Sequence, residues 1–114
     1  MGDNNYNILF VCTSNSESSW GGTTGLWLPE LVIPYFIFKE AGYTNYICSI
    51  KGGNPPCDPA SVIDDGTSEN LVQFLTDDYY QNQFRNCKSL SQYTDEELNK
   101  FSCVFLCGGI ADIN

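Results

Sequence analysis

The sequence contains no histidine. These residues alone therefore offer no Cys–His or Ser–His pair and no histidine metal ligand. Basic residues are scarce: five Lys and Arg against 14 Asp and Glu give a formal charge of −9. Phosphate backbones and anionic membranes attract basic surfaces, so neither nucleic acid nor a membrane is an expected partner. Charged residues of either sign make up only 17% of the chain, which leaves much of the polar surface to Asn, Ser, Thr and Gln. The longest apolar stretch, 26–38, contains Pro29, Pro34 and Glu30 and is too short to span a bilayer. Residues 1–5 are polar without a basic segment, and the apolar run 8–12 is too short for a signal-peptide core. The expectation is a cytoplasmic protein.

With 42% hydrophobic and 14% aromatic residues, the 114-residue chain has a globular composition and room for one domain, 1–114. Six cysteines raise the question of disulfides or zinc. Cys12, Cys48, Cys103 and Cys107 lie in or beside strand-like apolar runs, where free cysteine behaves as a small hydrophobe. There is no Cys-x-x-Cys pair, and the tightest spacing is that of Cys103 and Cys107. The reading is of free thiols, with neither metal nor cofactor.

The apolar run 7–12 suits a central, doubly covered parallel strand. A Ser-, Gly- and Thr-rich loop over 14–25 follows, at the sheet edge where α/β proteins bind ligands. A helix is predicted over 26–41, closed by Gly42, with Pro29 in its first turn. It is apolar nearly all round and so should be buried, and Pro34 should kink it or free the carbonyl of Glu30. A second strand at 44–50, a Gly/Pro loop at 51–56, and short helices at 68–75 and 77–84 come next. Thr94 and Glu97 form a capping box. A third strand at 102–107 ends in Gly108-Gly109. This order predicts an α/β fold: a flavodoxin-like or Rossmann-like doubly wound parallel sheet, truncated after the third strand. If the third strand pairs beside the first, its far edge is bare and open to another chain.

Glu30 is the only ionisable side chain over 26–38. Its plainer reading, which the physics favours, is a first-turn acid helped by the helix dipole. Its functional reading is a carboxyl poised beside a reactive group. Cys12 and Cys107 sit at carboxyl ends of strands, but a nucleophilic thiol needs a base, a cation or a helix N-terminus. Core packing is the expectation for both, with a redox role for Cys107 only if it is exposed to solvent. The stretch 21–25 lacks the Lys-Ser/Thr ending of a P-loop and does not match G-x-G-x-x-G, which leaves it a substrate-side loop.

Three stretches together carry a family resemblance: Ile8-Leu9-Phe10-Val11-Cys12-Thr13-Ser14; Thr24-Gly25-Leu26-Trp27-Leu28-Pro29-Glu30-Leu31; and Pro34-Tyr35-Phe36-Ile37-Phe38 with Ala41-Gly42. Gly52-Gly53-Asn54-Pro55-Pro56-Cys57-Asp58-Pro59 with Ser61, and Cys103-Val104-Phe105-Leu106-Cys107-Gly108-Gly109, continue it. The whole chain resembles the N-terminal half of the ThiJ/PfpI superfamily (class I glutamine amidotransferase-like), in the branch of glutathione-independent glyoxalase III enzymes and stress chaperones.

The resemblance implies that Glu30 matches a glutamate sharing a proton with a nucleophilic cysteine. In the family that cysteine and its histidine neighbour follow the Gly-Gly strand end, beyond Asn114. Gly108 and Gly109 are expected to line the substrate side through their backbone. The histidine and glycine that follow in the family are replaced here by Ile110 and Ala111. Complete members convert methylglyoxal to D-lactate, so a small 2-oxoaldehyde is the implied substrate of a completed site. The expectation is a chain inactive alone. The rival readings are an interaction protein pairing through its sheet edge with a second copy or a full-length relative, and a stress chaperone.

Overall fold

The computed structural model describes residues 6–14, 25–62 and 68–107. Four parallel strands form one sheet in the order β3-β2-β1-β4. They are β1 (Asn7–Cys12), β2 (Thr44–Ser49), β3 (Lys88–Ser89) and β4 (Cys103–Cys107). The helices are α1 (Pro29–Glu40), α2 (Glu69–Thr76), α3 (Asp78–Arg85) and α4 (Asp95–Leu98), with 3-10 turns at Pro59–Val62 and Leu90–Gln92.

The central position of β1 follows from its composition. Ile8, Phe10 and Cys12 face one side and Leu9 and Val11 the other, and all five are buried. On the first side they meet α1, α2 and α3 in a core rich in rings, where Tyr35 touches Phe10, Phe36, Phe74 and Tyr80. On the second side Leu9, Val11 and Cys48 meet Leu90, Tyr93, Leu98 and Phe101. The third predicted strand does pair beside the first, the condition the sequence left open: β4 lies parallel to β1 with Phe10 opposite Phe105 and Cys12 opposite Cys107.

Three expectations need correction. The sheet has four strands, not three, because the two-residue β3 pairs Cys48 with Lys88 and Ser49 with Ser89. A segment that short leaves no alternation to read. It is held by the preceding glycine loop: Gly53 N–H donates to Cys87 O at 2.9 Å, and Gly52, at φ +82°, lets the backbone pass where a Cβ would lie 3.0 Å from Ser89 N. The α1 helix starts at Pro29 rather than residue 26, since Leu26 instead forms a parallel bridge with Cys57. Nor is α1 buried all round: Leu31, Val32, Tyr35 and Phe36 are covered, while Ile33 and Ile37 are exposed. The helix runs unbroken through Pro34.

The short helices predicted at 68–75 and 77–84 are found as α2 and α3, and the structure adds that the side chains of Ser68 and Asp77 cap them. The capping box at α4 is complete, with Thr94 Oγ1 accepting from Glu97 N at 3.1 Å and Glu97 Oε1 accepting from Thr94 N at 2.9 Å. These bonds hold the Glu97 carboxyl below its ordinary pKa. A side-chain circuit ties α1, β2 and α3. Asn45 Nδ2 donates to Tyr35 O at 2.8 Å, Gln83 Nε2 to Asn45 O at 2.9 Å, and Tyr35 Oη to Gln83 Oε1.

The start of α1 lacks a capping side chain, because Leu28 holds the N-cap position. The buried Ser61 stands in from the first 3-10 turn. Its Oγ accepts from Leu28 N at 3.1 Å and donates to Asp58 O at 2.7 Å. Replacing it with alanine leaves a buried N–H unsatisfied, which costs about 1–3 kcal/mol. Urea unfolding of Ser61→Ala should show that loss at unchanged m-value, and a change under about 0.3 kcal/mol would contradict the assigned role.

Candidate functional site

Open α/β sheets place their sites at the carboxyl ends of the strands. Here that edge carries a register row of Cys107, Cys12, Ser49 and Ser89 across β4, β1, β2 and β3. The segment entering α1 is tied to the loop that follows β2. Leu26 N donates to Pro56 O at 2.8 Å and Asp58 N to Leu26 O at 2.9 Å. Two of the motifs noted in the sequence, the one around Gly25-Leu26 and the one around Pro56-Cys57-Asp58, are therefore bonded neighbours in space. A Cβ on Gly25 would lie 2.6 Å from Pro56 O, which explains the glycine in that motif.

The thiols are built into this edge as core groups. Cys12 and Cys107 are buried, as the sequence suggested, so the exposure that a redox role for Cys107 required is absent. A hydrogen bond with Cys107, followed by burial, pushes the Cys12 pKa well up. Burial raises Cys48 to about 12 and Cys57 to about 11. All six cysteines are unpaired, Cys103 alone is exposed, and no cluster among the described residues could hold a metal. A thiol whose pKa is raised is a poorer source of thiolate, so Cys12, Cys48, Cys57 and Cys87 are not activated nucleophiles.

Glu30 sits in the first turn of α1 and is exposed. Its position agrees with the plainer sequence reading of a first-turn acid. The structure adds that Glu30 lines a groove of about 610 Å³ between α1 and β4, with Trp27, Ile33, Ile37, Phe105 and Leu106. Among the described residues no cysteine lines this groove. Gly108, Gly109 and most of the loop at 14–25 lie outside the described residues. The apolar walls Ile33, Ile37 and Leu106 were not singled out from sequence as site residues. Their signal was present in the helix that is apolar nearly all round.

A second cleft of about 540 Å³ flanks the outer edge of β2, where Lys88 Nζ lies 4.9 Å from the Tyr93 ring centroid. It lies away from the carboxyl-end row. No described helix is long and apolar enough to cross a membrane.

Two measurements check the thiol environment. Labelling of the native chain with a maleimide should be fast at Cys103 and at least about a hundredfold slower at Cys12 and Cys107, with equal rates only after unfolding. Stability should be at its plateau below about pH 9 and fall as pH rises toward 11–12. In that window the unfolded chain loses thiol protons that the folded chain keeps at Cys48 and Cys57. Unfolding free energy that rises between pH 9 and 11 would contradict these environments.

Neither a protein-family model nor a curated protein matches the chain. Solved structures do. The X-ray structure of Francisella tularensis Rapid Encystment Protein 24 KDa (REP24) matches with a TM-score of 0.76 and 33% identity, over 90% of this chain and 44% of that one. The crystal structure of glyoxalase III from Candida albicans matches with a TM-score of 0.68 and 23% identity, over 87% of this chain and 41% of that one. The chain thus spans less than half the length of these neighbours. Together with the sequence motifs, these matches show that the chain has the fold of the N-terminal half of a ThiJ/PfpI-superfamily protein.

Proposed function

We propose that this chain is the acid-bearing half of a ThiJ/PfpI-type site for small 2-oxoaldehydes, and that its 114 residues do not catalyse the reaction by themselves. The observation that carries this reading is the placement of Glu30. It stands at the mouth of an apolar groove beside the carboxyl-end region of β4, within a fold shared with a glyoxalase III.

The reaction for a completed site is methylglyoxal plus water giving lactate. A thiolate adds to the aldehyde carbon, and a nearby acid moves a proton between the adjoining carbon and oxygen atoms. Water then releases the hydroxy acid. Glu30 is suited to the proton-moving role because a carboxyl exchanges protons readily and this one opens onto the groove. The nucleophile does not come from the described thiols: none of them lines the groove, Cys12, Cys48, Cys87 and Cys107 are buried, and those of Cys12, Cys48, Cys57 and Cys87 have raised pKa values. No histidine is present to activate one. Gly108 and Gly109 would offer backbone N–H groups to a developing oxyanion. The chemistry as drawn calls for no cofactor, and its proposed setting is the cytoplasm.

A second reading is a non-catalytic interaction or stress-chaperone protein. The exposed apolar side chains of β4, Val104 and Leu106, favour it.

The purified chain should form no D-lactate from methylglyoxal, and conversion that disappears in Glu30→Ala would overturn its assignment as inactive alone. A chimera tests the acid role directly, with this chain replacing the matched 41% of the Candida enzyme. It should form D-lactate, and Glu30→Gln should slow it by about a hundredfold or more. A chimera whose rate ignores Glu30 would remove that residue from the mechanism.

A further inference from the structure

The cleft of about 540 Å³ beside β2 has no part in the reaction proposed above. It opens because β3 is short. β3 pairs only Cys48 and Ser49, so no described strand flanks β2 from Thr44 to Ile47. The walls come from opposite faces of the sheet. Asn82, Gln83 and Asn86 belong to α3 or its cap, on the face where Phe84 packs with Phe10 in one core. Tyr93 and Phe101 stand on the other face, where they pack against the Leu9 cluster. With Tyr46 of β2 they make a wall of rings. The Phe101 centroid lies 5.4 Å from that of Tyr46 and 5.8 Å from that of Tyr93, both edge to face. Tyr46 is 41% exposed, so part of this wall is open to a ligand.

Beside the rings stand Lys88 and Lys100, two of only five basic residues in a chain of charge −9. Lys88 Nζ lies 4.9 Å from the Tyr93 centroid. Glu97 is the single acid among the described lining residues. Its carboxylate is engaged by the capping box, accepting from Thr94 N at 2.9 Å. Among the described residues neither ammonium forms a salt bridge. An acidic molecule therefore gathers two unpaired cations over one committed carboxylate, against a wall of rings.

We propose that this cleft binds a small ring-bearing anion, an aromatic carboxylate or an aryl phosphate, with its ring on Tyr46, Tyr93 and Phe101 and its anionic group at Lys88 and Lys100. The volume is that of small-molecule sites, which combine an apolar wall with a few polar groups. Aromatic side chains hold a planar ring by edge-to-face or offset contact. Ammonium groups carry donors and no acceptor, which suits an anion. The amides of Asn82 and Asn86, four residues apart, can serve polar substituents on the ring. Aromatic walls also attract cations, but two ammoniums in the lining repel them. A peptide strand added to the open stretch of β2 fits less well. Gln83 Nε2 already donates to Asn45 O at 2.9 Å, which occupies a backbone acceptor there.

The test is an amide NMR titration of the purified chain with phenylacetate and with phenyl phosphate. At least one should bind with Kd below about 1 mM and shift the amides of Tyr46, Lys88, Lys100 and Phe101. Phenylethanol lacks the anion and cyclohexylacetate lacks the aromatic ring, and each should bind about tenfold or more weakly. The double variant Lys88→Gln, Lys100→Gln should lose about tenfold or more in affinity, and added salt should weaken binding to the unaltered chain. Both lysines are exposed, so the variant should keep the fold, as its unshifted remaining amides would report. The same titration in the chimera with the Candida enzyme reads the cleft in a completed fold. Preference for phenylacetate or for phenyl phosphate tells which anionic group the cleft takes, and either upholds the proposal. It is overturned if neither probe shifts these amides in either format, if phenylethanol or inorganic phosphate binds as well, or if the lysine variant binds unchanged. Tighter binding of a capped tetrapeptide of Tyr, Val and Glu would make strand addition the use of this edge and overturn it too.

Discussion

Parallel pairing along both edges of β1 is the constraint on which the rest of the molecule depends. Each side of that strand is hydrogen-bonded, to β2 and to β4, so its side chains can only point up or down. Apolar groups in both directions then require cover on both sheet faces. The α1–α3 layer answers the first requirement and the α4 side answers the second over β1 and β2. Over β4 the cover is missing among the described residues, and the apolar surface left there follows directly from that gap.

The same constraint organises the carboxyl edge. Register places Cys107, Cys12 and Ser49 side by side, and Pro56 and Ser61 tie down the entry to α1. That tie sets the first turn of α1, and with it Glu30, at the head of the groove. The hydrogen bond with Cys107, and then burial, keep the Cys12 thiol protonated. The structure thus separates two roles that composition alone would allow to merge: cysteines as packing and a carboxylate as the solvent-facing group.

Much of this was legible in the sequence. The run 7–12 announced a doubly covered strand because no polar residue interrupts it. Thr94 and Glu97 announced a cap because their spacing suits reciprocal bonds across one turn. The two-residue β3 was not legible, since its pairing is decided by a glycine loop more than thirty residues earlier in the chain. The start of α1 was misread for a related reason. Leu26 is as helix-compatible as its neighbours, and only the distant segment Pro56–Asp58 draws it into a bridge.

By itself, the sequence determined the α/β class, the free thiols, the acidic surface, the lack of histidine chemistry and the resemblance to one half of a larger fold. Each of these is a property of residue types or local pattern. Only the tertiary structure decided which flank of α1 is covered, where Glu30 opens and which strand edge stays free. Those outcomes depend on contacts between segments far apart in the chain, and an all-apolar helix carries no periodicity to say which of its sides will be left exposed.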